Sequence, residues 1–207
     1  MAKSAQLAFV LVPAGATAWE ESGRVTGGAD LPLCPEGRAQ ASKAAEELSS
    51  RSISLVLHAG DDASRETAKL IASASGCKTR TVEDLAEMSL GLWEGLAAEE
   101  FAEKFPTASK QWQDDPASIV PPEGETLSAA DERIVASLAR ALEKTKSSGA
   151  IAVVLRPVAL GLVRCWLKGL PVSKVWVSGE DGSHAGAAEW HTLPRTDLKG
   201  VRARTSA

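Results

Sequence analysis

The stretch LAFVLVPAGATAWEESGRVTGGADLPLCPEGRAQA, residues 7–41, decides the fold of this chain. It opens on Leu7 to Val12, a continuous apolar run of the kind that forms a strand covered on both faces. Pro13 and Gly15 end the run abruptly, because proline lacks the amide hydrogen that a sheet requires. We therefore predict a central parallel strand followed by a long glycine-rich loop.

Further along the chain, apolar residues follow helical and strand patterns in turn. Two short apolar runs, Ile53–Leu57 and Ala150–Leu155, have the composition of buried strands. The predicted helices span 37–49, 67–74, 127–142 and 159–167. This alternation is typical of an α/β fold with a mostly parallel central sheet and helices on both faces. Ligands of such folds bind beyond the carboxyl ends of the strands, so we expect a pocket after Val12, Leu57 and Leu155.

Length and composition favour one folded domain that does not bind nucleic acid. The chain has 207 residues, of which 44% are hydrophobic and 24% charged, as in ordinary globular proteins. Its formal net charge is −4, so no overall positive field would attract a phosphate backbone. We predict a single domain over residues 1–195, a lid-like helical insertion around 83–125, and a flexible C-terminal tail at 196–207.

The cysteines and histidines indicate neither a disulfide framework nor a metal site. Cys34, Cys77 and Cys165 lie far apart and form no CxxC pair. His184 and His191 do not have the spacing of metal ligands with these cysteines or with nearby carboxylates. We expect no metal and no other cofactor.

The apolar segments predict no contact with a membrane. The run at 7–12 is too short for the core of a signal peptide or for a membrane span. The most apolar stretch, 150–163, is interrupted by Arg156 and Pro157. Together with the unpaired cysteines, these features favour a cytoplasmic protein.

The opening stretch resembles that of the histidine phosphatase superfamily, the phosphoglycerate-mutase-like proteins. The family's pattern is a strand followed by Arg-His-Gly-Glu-Thr, a Trp two residues on, Gly-Arg-x-x-Gly, Asp-x-Pro-Leu and Gly-x-x-Gln-Ala. The resemblance continues through LAEMSLGLWEGL at 85–96 and PPEGET at 121–126, and covers nearly the whole chain. It implies a three-layer α/β/α fold of the phosphoglycerate-mutase-like type. The matching positions of the opening stretch are Gly15, Thr17, Trp19, Gly23, Arg24, Gly27, Asp30, Pro32, Leu33, Gly37, Gln40 and Ala41.

The resemblance also implies phosphoryl transfer through a histidine nucleophile, aided by a second histidine, two arginines and a carboxylic acid. In this sequence the nucleophile's position holds Ala14, and the arginine before it is replaced by Pro13. Ala63 stands for the second arginine and Arg156 for the second histidine, with Pro157 where a glycine is usual. A methyl group cannot attack phosphorus, so the resemblance is to a degenerate member that lacks the catalytic histidines.

Three polar residues of the predicted pocket each have two interpretations. Glu87 falls at the family's acid position, and serves either as proton donor or as a structural hydrogen-bond partner. His58 ends the second strand, and is either a relocated phosphoacceptor or, as we favour, a histidine bonded to a backbone carbonyl. Arg156 either contacts a small anion, together with Arg24, or pairs with Glu87 or another carboxylate.

Two hypotheses of function follow from this pocket. The first is a pseudoenzyme with a binding, regulatory or assembly role, whose pocket receives a small anion or a protein partner. The second is a phosphatase or mutase with a displaced mechanism, in which His58 accepts the phosphoryl group and Glu87 is the acid. The predicted pocket residues are Pro13, Ala14, Thr17, Arg24, His58, Ala63, Glu87 and Arg156.

Overall fold

A five-stranded sheet forms the centre of the molecule. The computed structural model describes residues 6–146, 148–176, 188–199 and 201. In spatial order the strands are β3-β2-β4-β1-β5. Their bounds along the chain are β1 Gln6–Pro13, β2 Ile53–His58, β3 Lys78–Thr81, β4 Ala150–Leu155 and β5 Glu189–Pro194.

The sheet is parallel except at one edge. β4 pairs in parallel with both β1 and β2, β2 pairs in parallel with β3, and β5 runs antiparallel to β1. All six residues of the central strand β4 are buried, which explains its unbroken apolar run. The predictions of β1, β2 and β4 are confirmed to within one residue at each end.

Helices cover both faces of the sheet, and the expected three-layer α/β/α fold is confirmed. On one face, α2 and α3 pack against β-strand residues such as Val10 and Val154. On the other face, α6 and α7 pack against residues such as Phe9 and Val153. The α-helices are α1 Ala18–Glu21, α2 Pro35–Ser49, α3 Asp62–Ser75, α4 Ala98–Lys104, α5 Pro106–Asp114, α6 Leu127–Lys144 and α7 Pro157–Lys168.

Two of the helices predicted from the sequence begin at a proline, two residues before the predicted start. Pro35 and Pro157 are the first residues of α2 and α7. Proline suits this position because its fixed φ is helical and the first amide has no partner within the helix. The sulfur of Cys34 then caps α2 by accepting a hydrogen bond from the amide of Gly37 at 3.3 Å.

The segment between β3 and α6 is helical, and aromatic residues pack within it. Besides α4 and α5, it contains short 3-10 helices at Glu83–Leu85, Gly91–Trp93 and Pro116–Ser118. The ring centroids of Trp93 and Phe101 are 5.0 Å apart. The segment at 83–125 therefore contains helices, and some of its aromatic side chains pack against one another.

The chain does not fray at Thr196, where the tail was predicted to begin. Arg195–Leu198 form a 3-10 helix, and Leu198 is only 1% exposed. Arg195 also donates to the carbonyl of Thr145 at 2.8 Å, just beyond the end of α6. A buried leucine therefore anchors this segment, and of the predicted tail residue 200 and residues 202–207 lie outside the described residues. Within the described part of the chain, no helix has the length and apolarity to cross a membrane.

Candidate functional site

Three strands end together at one edge of the sheet, where the pocket was predicted. β4 lies between β1 and β2, and all three are parallel, so their carboxyl ends adjoin. Pro13 is opposite Leu155, and His58 is opposite Val154. The amide of Ala14 donates to the carbonyl of Leu155 at 2.8 Å, which ties the first loop to the end of β4.

Several residues that matched the family's opening pattern take part in the contacts that hold the loop after β1. The amide of Gly15 donates to Oγ1 of Thr67 at 3.0 Å, and that of Ala16 to Oε1 of Gln40 at 3.1 Å. A Cβ on Gly15 would lie 2.2 Å from the carbonyl oxygen of Gly37, so this contact excludes any side chain. The matches therefore preserve the packing of the loop, independently of any chemistry.

Arg156 lies at the centre of this edge and is almost completely buried, at 2% exposure. Its Nη2 is 3.2 Å from Oε1 of Glu20, and its Nη1 donates to the carbonyl of Ala29 at 3.1 Å. Of its two interpretations, pairing with a carboxylate is what the structure shows. The partner is Glu20, however, and not Glu87.

Glu87 lies against the first turn of α7 and is 6% exposed. Its Oε2 accepts from the amide of Val158 at 2.8 Å, and its Oε1 from the amides of Ala159 at 3.0 Å and Met88 at 2.8 Å. Val158 and Ala159 are the second and third residues of α7, so the carboxylate occupies the helix N-terminus.

Burial raises the pKa of Glu87 to about 7, against an ordinary value of 4.5. The charge of Arg156 and the three backbone amides act in the opposite direction, and the cost of removing the carboxylate from water outweighs them. Glu87 therefore keeps its proton to a higher pH than an exposed glutamate does.

His58 is buried at 2% exposure, and its Nδ1 donates to the carbonyl of Ala59. This is the backbone-bonded histidine that the sequence favoured. With Nδ1 protonated, only Nε2 would remain as a nucleophile, on a ring that solvent hardly reaches.

The other predicted pocket residues divide into buried and exposed positions. Thr17 and Ala63 have no exposed surface, whereas Pro13 and Ala14 are half-buried. Arg24 is exposed, and its Nη1 donates to the carbonyl of Gly95 at 2.6 Å. Arg24 thus ties the first loop to the insertion and is not gathered with the buried residues.

Glu20 is a residue of this site that the sequence analysis did not predict. Thr17 precedes it by three residues, and Oε2 of Glu20 accepts from the amide of Thr17 at 2.6 Å. A threonine followed three residues later by a glutamate is the signature of a capping box. The start of α1 could therefore have been predicted from the sequence. That the second oxygen faces Arg156 depends on the fold.

The histidines outside the pocket do not form a metal centre in the described part of the chain. Within those residues no group of three or more His, Cys, Asp or Glu could hold a metal ion. His191 stacks on Phe9 with ring centroids 5.4 Å apart, and burial lowers its pKa. His184 lies outside the described residues.

Comparison with known proteins identifies relatives over most of the chain. A model of the histidine phosphatase superfamily (branch 1) matches residues 9–183. Phosphoserine phosphatase 1 of Hydrogenobacter thermophilus is 28% identical over 175 residues, 84% of this chain and 82% of that protein. A protein named probable phosphoglycerate mutase GpmB, from Yersinia enterocolitica, is 31% identical over 165 residues, 80% of this chain and 76% of its own.

A solved structure has the same fold. The Bacillus stearothermophilus protein YhfR superposes with a TM-score of 0.77, over 82% of this chain and 84% of its own, at 22% sequence identity. This likeness concerns the arrangement of helices and strands alone.

Proposed function

Because the chain belongs to the histidine phosphatase superfamily (branch 1), we propose that it is a non-catalytic member whose fold serves a binding, regulatory or assembly role. The observation that carries the proposal is Ala14, which follows the first strand where the family's resemblance implies the nucleophile. Its amide is bonded to Leu155 at the centre of the sheet edge. The backbone at position 14 is thus held at the end of the central strands, but the methyl side chain of Ala14 has no nucleophilic atom.

The electrostatics of the pocket support the same proposal. A phosphoryl group in transfer needs cations and hydrogen-bond donors directed at its oxygens. Pro13 and Ala63 supply no charge, and the guanidinium of Arg156 is already paired with Glu20. The amides at the start of α7 are taken by Glu87. The hydrogen-bond donors of the pocket are thus engaged by two carboxylates of the protein itself, Glu20 and Glu87.

The existing hydrogen bonds of Arg156 also set a requirement for any ligand of the pocket. A small anion that binds at Arg156 is required to compete with Glu20 and with the Ala29 carbonyl, which already engage two of the five N–H donors of the guanidinium. A protein partner meets the same requirement if it presents a carboxylate. We propose that the protein acts in the cytoplasm, where the free cysteines Cys34, Cys77 and Cys165 would stay reduced.

The alternative, turnover with His58 as acceptor and Glu87 as acid, has weaker support. The imidazole is 2% exposed and its Nδ1 is engaged by Ala59. Of the two arginines that it would need, Arg24 is held by Gly95 and Arg156 by Glu20. We retain this mechanism as the outcome that would overturn the proposal.

The test is a phosphatase assay of the intact protein with p-nitrophenyl phosphate, together with trapping by a radiolabelled phosphoryl donor. We expect no turnover above the buffer rate and no labelled protein, because losing a nucleophile typically costs several orders of magnitude. The matched control is His58→Gln, which should behave as the parent does. Turnover that His58→Gln abolishes, with label mapped to His58, would show that the chain is an enzyme.

A further inference from the structure

A basic groove lies at the end of the sheet opposite to the pocket. It has a volume of about 590 Å³ and lies where β2 and β3 begin, beside the ends of α3 and α6. Its walls carry four cationic side chains, and none of the described residues that line it is acidic. The cations are Lys78, Arg80, Lys144 and Lys146. This concentration of positive charge contrasts with the net charge of −4 on the whole chain.

Arg80 is held in place before any ligand arrives. Its Nη2 donates to Oγ1 of Thr145 at 2.6 Å and to the carbonyl of Ala141 at 3.2 Å. Thr145 is itself 6% exposed and donates to the same carbonyl at 2.7 Å. A guanidinium fixed in this way loses little freedom on binding an anion, and the N–H donors along the edge of its plane suit phosphate oxygens.

The three lysines of the groove have no carboxylate partner among the described residues. Lys78, Lys144 and Lys146 are exposed and belong to none of the ion pairs found there. Lys144 lies in the last turn of α6, where it complements the helix dipole. Lys146 lies beyond that helix, and Lys78 is on β3, so the dipole does not account for them.

Protection of the sheet edge is the competing explanation. β3 is an edge strand, and exposed cations on such strands discourage pairing with other chains. Protection of the edge explains the cations on β3, Lys78 and Arg80. It does not explain why the surface is concave here, or why Lys146, which lies after α6, lines the same groove. It also predicts no saturable binding of a small anion.

We propose that this groove binds a small phosphorylated molecule with at least two negative charges on adjacent phosphates. A volume of about 590 Å³ is within the range of sites for small organic ligands, roughly 300–1,000 Å³. Four cations around one space suit a diphosphate better than a single phosphate. Leu55 and Cys77 add a partly buried apolar wall for a compact organic group, as in a nucleoside diphosphate.

The experiment is calorimetric titration of the full chain with ADP, inorganic pyrophosphate and inorganic phosphate at low salt. We expect saturable one-to-one binding of ADP and pyrophosphate, and at least tenfold weaker binding of phosphate. The double variant Lys78→Gln/Lys146→Gln should bind ADP about tenfold more weakly. The control Lys43→Gln/Lys110→Gln removes the same charge from exposed positions on α2 and α5, and should bind as the parent does.

Two results would overturn the proposal. One is the absence of saturable binding, which edge protection predicts. The other is an equal loss of affinity in both double variants, which indicates a general charge effect. If the groove variant melts below the parent, the single variant Lys146→Gln takes its place, with an expected loss of about threefold. Neither result bears on the phosphatase assay, because the groove and the pocket lie at opposite ends of the sheet.

Discussion

At the scale of one residue, Glu87 shows how a carboxylate of the protein itself takes up the hydrogen-bond donors of the predicted pocket. Its carboxylate accepts from three backbone amides, two of them in the first turn of α7, within an almost dry site. Burying a charge costs more than these bonds return, so the pKa of Glu87 is raised to about 7. The same feature makes the stability of the protein depend on pH.

We predict that Glu87 stabilises the protein more at pH 5 than at pH 8. The folded pKa lies above the ordinary value of 4.5, so the folded state binds the proton more tightly than the unfolded state. The contribution is therefore fully present below about 4.5 and is lost as the pH rises through about 7. The free energy of unfolding of the parent, minus that of Glu87→Gln, should fall by up to about 3 kcal/mol across this window.

Urea unfolding at several pH values measures this difference. Glu99→Gln, a change at an exposed position on α4, serves as the control and should give a difference that is flat with pH. A flat profile for Glu87→Gln as well, or one that rises with pH, would contradict the assignment.

At the scale of elements, the loop after β1 and the start of α2 are joined by the close approach of their backbones. A Cβ on Gly37 would lie 1.9 Å from the carbonyl oxygen of Ala16, and the amide of Cys34 donates to that same oxygen at 3.0 Å. Both contacts are with backbone atoms, which cannot move aside as a flexible side chain can. The glycine is therefore required by packing.

We predict that Gly37→Ala destabilises the protein by about 3 kcal/mol, because the methyl group forces the loop away from the helix. Gly28→Ala is the matched control, since the nearest atom to its added Cβ would be at an ordinary 3.7 Å. That variant should stay within about 0.5 kcal/mol of the parent. Chemical denaturation compares the two, and equal stabilities would show that the close contact relaxes at little cost.

At the scale of the whole molecule, we propose that the scaffold of a phosphate pocket is kept while its charged side chains have changed. The combined variant Pro13→Arg, Ala14→His, Ala63→Arg, Arg156→His and Pro157→Gly restores the side chains that the family resemblance implies. Ala63 has no exposed surface and packs with Leu33 and Ala41, so an arginine there has to open that contact. A lower melting temperature than that of the parent is therefore expected.

We predict that the folded five-fold variant binds inorganic phosphate at least tenfold more tightly than the parent, as measured by calorimetry. Its two new arginines stand where the family resemblance implies phosphate ligands, and we expect their charge to outweigh the repulsion from Glu20, which loses Arg156 as its partner. A control that keeps Ala14 and Arg156 but carries the other three changes should gain phosphate affinity without becoming labelled by a phosphoryl donor. If the five-fold variant binds phosphate no better than the parent, the proposal that this site is a phosphate pocket without its phosphate-binding side chains is wrong.

The sequence by itself determined the central strands and the long helices, and it predicted that Ala14, His58 and Arg156 follow or end the strands that meet at one edge of the sheet. β4 and α6 follow from local apolar periodicity, because burial on two faces or on one stripe leaves a pattern within a few residues. That the side chain of Ala14 has no nucleophilic atom is likewise a property of one position. No partner elsewhere in the chain is needed to recognise it.

Only the tertiary structure decided the edge strands and the partners of the buried charges. β3 is exposed at all four residues and β5 is only partly buried, so neither carries the apolar run of a covered strand. Arg156 pairs with Glu20 across 136 positions of the chain, and Glu87 reaches α7 across 71 and 72. Such contacts depend on which strand ends adjoin, and this is settled by the packing of the whole sheet rather than by any local pattern.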